Sequence, residues 1–233
     1  MDVDEGYGMV GRDDQMDEFW KIWEKGDRRI VVIHGPKLVG KSTFVKYFFD
    51  KYSKHDKVIR FDFNMIKNME EFEYELFCNG NFQEGHTSGC RRVSRCINCV
   101  RNLQIKITEL GKRRLGRLVF ILDNLESMCD DGKERTMGEE RTYDLIMRLY
   151  ILDILKHSPN VSLVIVSTMK HTFARYKVHY VELQELDLHS SSTLLCNVAG
   201  HDRCSDKMEI VTKIAKLCGG LPLAIINAGK SKC

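Results

Sequence analysis

Apolar positions follow two rhythms along this chain. Met16, Phe19, Trp20 and Trp23 recur at i, i+3, i+4 and i+7, the stripe of an amphipathic helix that Gly26 ends. Arg29 to Ile33 is a short β-branched run and predicts a buried strand. A loop from Gly35 to Gly40 follows, then a helix over about Lys41 to Tyr52. From Lys57 to Phe63 the sequence alternates, with Val58, Arg60 and Asp62 against Ile59, Phe61 and Phe63, and predicts a second strand.

Arg117 to Asp123 carries an unbroken apolar run, Leu118-Val119-Phe120-Ile121-Leu122. Such a run implies burial on both faces, as in a parallel sheet. Val161 to Ser167 repeats the pattern, and Tyr180 to Leu183 predicts a short fifth strand. Between the second and third strands lie helical patterns, one with Ile97, Val100, Leu103, Ile107 and Leu110 on a face, and a Gly- and Asn-rich loop over Asn79 to Gly89. A polar loop over Cys129 to Arg141 and a helix over Tyr143 to Lys156 precede the fourth strand. From Ser190 the pattern is helical. Val211, Ile214, Ala215 and Cys218 form a stripe that Gly219-Gly220 stops, and Pro222 suits the first turn of a new helix. The prediction is an α/β fold with a mainly parallel sheet of about five strands. It divides into a domain over 1–184, with a helical segment at 64–116, and a small helical subdomain over 185–233.

Charge changes this picture little. The 36 Lys+Arg and 33 Asp+Glu residues nearly cancel, which argues against a dedicated nucleic-acid partner and against a disordered tail. No apolar run approaches the roughly 18 residues of a membrane span, so no membrane partner is expected. The acidic start, Met1 to Gly6, has no signal-peptide pattern. Nine cysteines, an odd number, then read as reduced thiols of a cytoplasmic protein.

The chemistry centres on Gly35-Pro36-Lys37-Leu38-Val39-Gly40-Lys41-Ser42, which matches the phosphate-loop pattern G-x4-G-K-[ST]. It follows a strand and opens a helix, as the mechanism requires. The loop's N–H groups and the helix N-terminus make an anion site. Lys41 is expected to reach the terminal phosphates, Ser42 to ligate magnesium and Thr43 to bond the α-phosphate. Lys37-Leu38-Val39 stands where extra glycines are common, so a non-Gly residue must take an awkward backbone angle.

Leu118 to Asp123 is an apolar strand ending in Asp, the Walker B arrangement that holds magnesium. Asn124 follows, where an acidic residue positions the attacking water in many hydrolytic proteins; an amide is a poor base. Glu126 is the nearest substitute, and slow hydrolysis is expected.

Three further segments carry a resemblance. Val10-Gly11-Arg12 precedes the phosphate loop, Val161 to Thr168 looks like a sensor strand, and Cys218-Gly219-Gly220-Leu221-Pro222-Leu223-Ala224-Ile225 contains GLPLA. In this order they resemble the NB-ARC nucleotide-binding domain of plant disease-resistance proteins and apoptosome scaffolds, within the STAND class of P-loop NTPases. The resemblance spans about residues 8–229. It implies a switch binding ADP or ATP with magnesium, in defence or cell-death signalling, with other protein domains or full-length relatives as partners. It implies Val10 and Arg12 along the adenine, and Pro222 packed on it with Leu221 and Leu223 in support. It makes Gly35, Gly40, Lys41, Ser42 and Thr43 phosphate-loop contacts, with Lys41 and Asp123 catalytic and Ser42 and Asp123 on magnesium.

The chain also departs from the family. Met169-Lys170 replaces the Arg that often follows the sensor strand, and a lysine lacks arginine's planar fork. The sequence ends soon after GLPLA, before the family's winged-helix subdomain, so the expectation is a truncated form. Two other readings remain open: an active ATPase of archaeal STAND or AAA-like type, and a degenerate, non-catalytic interaction module. His86, Cys90, Cys96 and Cys99 include one metal-ligand spacing, but H-x3-C-x5-C-x2-C is not a standard zinc finger. Plain thiols are expected there, and a solvated helix end at Lys112-Arg113-Arg114.

Overall fold

The computed structural model describes residues 7–25, 30–53, 55–66, 68, 71–72, 75–76, 117–128, 152, 155–156, 158–173, 176–200 and 207–231. Five strands form one sheet: β1 Ile30–His34, β2 Lys57–Asp62, β3 Leu118–Asp123, β4 Val161–Ser167 and β5 Val178–Glu182. Their order is β2-β3-β4-β1-β5, and every pairing is parallel. β1, β3 and β4 are buried at every position, as central strands of a sheet covered on both faces. β2 lies at an edge and alternates, with Ile59 and Phe61 inward and Val58 and Arg60 outward.

The period of two splits the core into two layers. Ile30, Val32, Ile59, Phe61, Phe120, Leu122, Leu163 and Ile165 face one side, with Phe72, Leu76 and Leu155. Val31, Ile33, Val119, Ile121, Val164 and Val166 face the other, under α1 Asp13–Glu24 and α2 Lys41–Tyr52. The rings of Phe19 and Phe48 stack there at 4.0 Å between centroids, with Trp23 edge-on to Phe49 at 5.0 Å. Each fully buried Phe contributes about 1.5–3 kcal/mol by area. The inward face of α1 is Met16, Phe19, Ile22 and Trp23; Trp20 is only half-buried at the margin, beside Tyr52.

Three helices follow the sheet: α3 Leu188–Ala199, α4 Met208–Leu217 and α5 Pro222–Lys230. Asp187 caps α3 by accepting from the Ser190 N–H at 2.8 Å. Leu186, Leu194, Leu195, Val211, Ile225 and Ile226 form the helices' own core. Gly229 lets α3 and α5 approach closely, since an added Cβ would stand 2.7 Å from Val198 Cγ1.

Strand positions agree with the sequence reading to within a few residues. β1 is shifted one residue forward, and β5 begins at Val178 rather than Tyr180. The segment predicted helical at 64–116 lies almost wholly outside the described residues, as do the loops over 79–89 and 129–141, the basic run 112–114 and most of the helix predicted over 143–156. Among the described residues no helix is long and apolar enough to cross a membrane.

Candidate functional site

The parallel strands point their C-terminal ends at one edge, where β1 runs directly into the glycine loop. The loop needs its glycine at position 35. A Cβ there would stand 1.9 Å from the Leu183 carbonyl oxygen, and the Leu183 N–H donates to His34 O at 2.8 Å. Leu38 adopts φ +67°, the awkward angle expected of a loop without internal glycines. Gly40 (φ +92°) turns the chain into α2. The first helical bond is Phe44 N–H to Gly40 O, at 2.9 Å. The N–H groups of Lys41, Ser42 and Thr43 therefore lack acceptors within the helix.

Lys41 folds back over its own loop and donates to the carbonyls of Gly35 (2.9 Å) and Pro36 (2.6 Å). Burial lowers its pKa, while the charges of Glu126 and Asp123 act the other way. Ser42 Oγ donates to Asp123 Oδ1 at 2.9 Å. Asp123 is fully buried, and Arg60 of β2 pairs with its other oxygen. Burial raises the Asp123 pKa, against the opposing pull of Arg60 and Ser42. Sequence reading missed Arg60. The sequence places it only in the alternation of β2 with Val58 and Asp62, and nothing local links it to Asp123.

A cavity of about 760 Å³ lies between the loop and the C-terminal helices. Its walls bring together Val10, Arg12, Gly40, Lys41, Ser42, Thr43 and Pro222, seven of the residues picked from sequence. Leu223 and Ile226 of α5 extend the apolar wall, as do Tyr7 and Met9, which sequence reading did not select. The volume falls within the range of small-molecule and cofactor sites. Gly35 and Leu221 lie outside that wall: Gly35 shapes the loop, and Leu221 precedes Pro222, the first residue of α5. Asp123 lines an adjoining cavity of about 390 Å³ with Ser42 and Arg60, so Ser42 is common to both spaces.

Arg12 plays a part that its motif did not indicate. Its guanidinium is buried and donates to Val39 O (3.1 Å) and Gln184 O (2.7 Å). It thereby ties the phosphate loop to the segment leading into α3. Gly11 is required by the same packing, because an added Cβ would be 2.3 Å from Ser190 Oγ. Beside Leu186, which also lines the cavity, Leu186 N–H bonds Gly220 O at 2.9 Å, and Gly220 (φ +70°) has no room for a Cβ beside Leu186 O. Pro222 Cγ stands 3.8 Å from the Cβ position of Gly40.

β4 ends at Ser167, in register with His34 of β1. Ser167 Oγ and His171 Nε2 are 2.9 Å apart, both buried. Lys170 is exposed, and its charge helps lower the His34 pKa, second to burial. His86, Cys90, Cys96 and Cys99 lie outside the described residues, and the described residues hold no group of three or more His, Cys, Asp or Glu side chains able to share a metal ion.

No protein-family profile matches the sequence, and no curated protein matches it. The fold does have solved counterparts. A Walker-type ATPase of Pyrococcus abyssi aligns over 95% of this chain and 67% of its own, with TM-score 0.68 and 14% identity. The Drosophila origin recognition complex bound to DNA aligns over 95% and 54%, with TM-score 0.63 and 12% identity. A STAND protein with a tetratricopeptide repeat sensor from Pyrococcus horikoshii aligns over 97% and 30%, with TM-score 0.55 and 16% identity. This chain thus has the α/β fold of P-loop ATPases and spans about a third to two thirds of these counterparts' lengths.

Proposed function

We propose that this chain is the nucleotide-binding switch of a STAND-type, NB-ARC-like protein, holding ADP or ATP with magnesium. The carrying observation is the shared cavity. Loop residues Lys37 to Thr43 form one wall, and Pro222, Leu223 and Ile226 of α5 form another. A phosphate chain on the loop would leave its base against Val10, Met9 and Pro222. A ligand touching both walls then sets how residues 1–184 and 185–233 stand to each other.

Magnesium suits the donors present. Ser42 Oγ and Asp123 Oδ1 are hard oxygens 2.9 Å apart at the loop's edge. When bound, the ion neutralises phosphate charge. Lys41 is the protein's own cation for the terminal phosphates, and it must give up Gly35 O and Pro36 O to reach them. Slow hydrolysis follows from the amide at Asn124 and a cytoplasmic location from the thiol-rich composition, while a role in defence or cell-death signalling, through other domains or relatives, follows from the NB-ARC resemblance.

One observation favours the degenerate-module reading. The Arg60 guanidinium pairs with the Asp123 carboxylate and would compete with a metal ion for it. Mass spectrometry of nucleotide released from the purified protein separates the two. Stoichiometric ADP or ATP supports the switch. A protein that carries none and takes none up supports the module.

A further inference from the structure

The residue after the Walker aspartate is engaged elsewhere. Asn124 adopts φ +57°, and its Nδ2 donates to Asp62 Oδ1 at 2.9 Å, toward the end of β2. An amide has no basic electron pair with which to take a proton, and this one is turned to β2 as well. The next acidic side chain stands on a short 3-10 helix, Leu125–Met128, with Glu126 in its first turn. That turn is pinned on both sides of Glu126. Leu125 is fully buried in the core, and Ser127 Oγ donates to Asn64 Oδ1 at 2.8 Å.

Glu126 lines the same cavity as Lys41 and Ser42. One of its carboxylate oxygens, Oε2, is buried with no hydrogen-bond partner among the described residues. A buried acceptor without a donor is costly and calls for an explanation such as a catalytic role. Its charge also opposes the desolvation of Lys41, whose side chain lines the same cavity.

We propose that Glu126, in place of Asn124, is the base that orients and deprotonates the water attacking ATP at this site. The inference rests on the nucleotide reading above. In the step, the water oxygen bonds the γ-phosphorus, and the bond from that phosphorus to the β–γ bridging oxygen breaks. The water's proton passes to Glu126 and then to the released phosphate, leaving ADP. The unpartnered oxygen supplies the acceptor, and the pinned turn fixes where it points.

The test is single-turnover hydrolysis of γ-labelled ATP with magnesium, with protein in excess, alongside ATP affinity by calorimetry. Glu126→Gln keeps shape and removes the base. It is expected to lose about 100-fold or more in rate, as general-base removal does, with affinity within about threefold. Glu126→Asp, which shortens the arm and keeps the charge, is expected to lose rate to an intermediate degree, so the conclusion does not hang on one variant. Equal rates in wild type and Glu126→Gln overturn the proposal. So does a larger loss from Asn124→Ala than from Glu126→Gln, or a wild type that binds ATP and releases no phosphate. A wild type that binds no ATP overturns the nucleotide reading itself.

Discussion

Ser42 and Asp123 are 81 residues apart in sequence and joined by a 2.9 Å hydrogen bond, with Arg60 on the aspartate's far side. The expected magnesium ligands are therefore assembled and already charge-compensated. Arg60→Gln leaves a fully buried carboxylate without its cation. Breaking a buried pair costs about 3–5 kcal/mol. The Arg60 side chain is 42% exposed, so about 1–3 kcal/mol is the fair expectation here. Thermal melts should show Arg60→Gln destabilised with ADP alone and substantially rescued when magnesium is added. Removing the metal with EDTA should reverse the rescue. A variant that melts with wild type under both conditions would count against any competition at Asp123.

Gly35→Ala tests the loop's geometry. The added methyl would sit 1.9 Å from a backbone oxygen at φ +150°, and backbone cannot step aside as a side-chain tip does. A loss of about 3 kcal/mol or more in denaturant unfolding is expected, from overpacking plus backbone strain. Gly8→Ala is the control, because nothing lies within 4 Å of its Cβ position, and a smaller loss is expected.

Arg12→Lys tests the tie between the loop and residue 184. Val39 O and Gln184 O both accept from one guanidinium nitrogen, Nη2, and a lysine Nζ, one bond closer to the backbone, stops short of that position. Nucleotide affinity is expected to fall about tenfold, in line with losing one hydrogen bond from a charged donor at about 1.5 kcal/mol. Calorimetry with ADP checks this, and an unchanged affinity would reduce Arg12 to a fold residue.

These cases show what was legible in the sequence. β1, β3 and β4 were readable because a strand buried on both faces spells an unbroken apolar run, whatever its neighbours. The phosphate loop was readable because its chemistry is local: glycine angles, a lysine and a hydroxyl within eight residues. Arg60 and Gly11 were not, because their meaning depends on Asp123 and Ser190, which local pattern does not connect to them. Arg12 was picked for its motif, while its contacts show a clamp on two carbonyls. The register of α1 was slightly misjudged, since Trp20 and Ile22 are both apolar and only packing decides which one faces inward.

His34 and His171 set an acid limit on stability. Both have pKa values lowered first by burial, with the charges of Lys170 and Lys41 adding to the effect at His34. The folded protein therefore keeps them neutral where the unfolded chain takes up protons. Their contribution is present above the usual imidazole pKa of about 6.5 and is lost as pH falls below it toward the lowered folded values. Melting midpoints should decline from about pH 7 to pH 5.5. His171→Asn should show a shallower decline; an identical slope would remove His171 from the account.

The central claim is that Lys41 and the loop around it bind nucleotide phosphate against Pro222. Calorimetric titration of ADP with magnesium into wild type and Lys41→Ala tests it most directly, on protein first stripped of bound nucleotide. The expected result is one saturable site of micromolar or tighter affinity in wild type, with no measurable heat of binding in Lys41→Ala. Equal micromolar affinity in both proteins, or no binding in either, would contradict it.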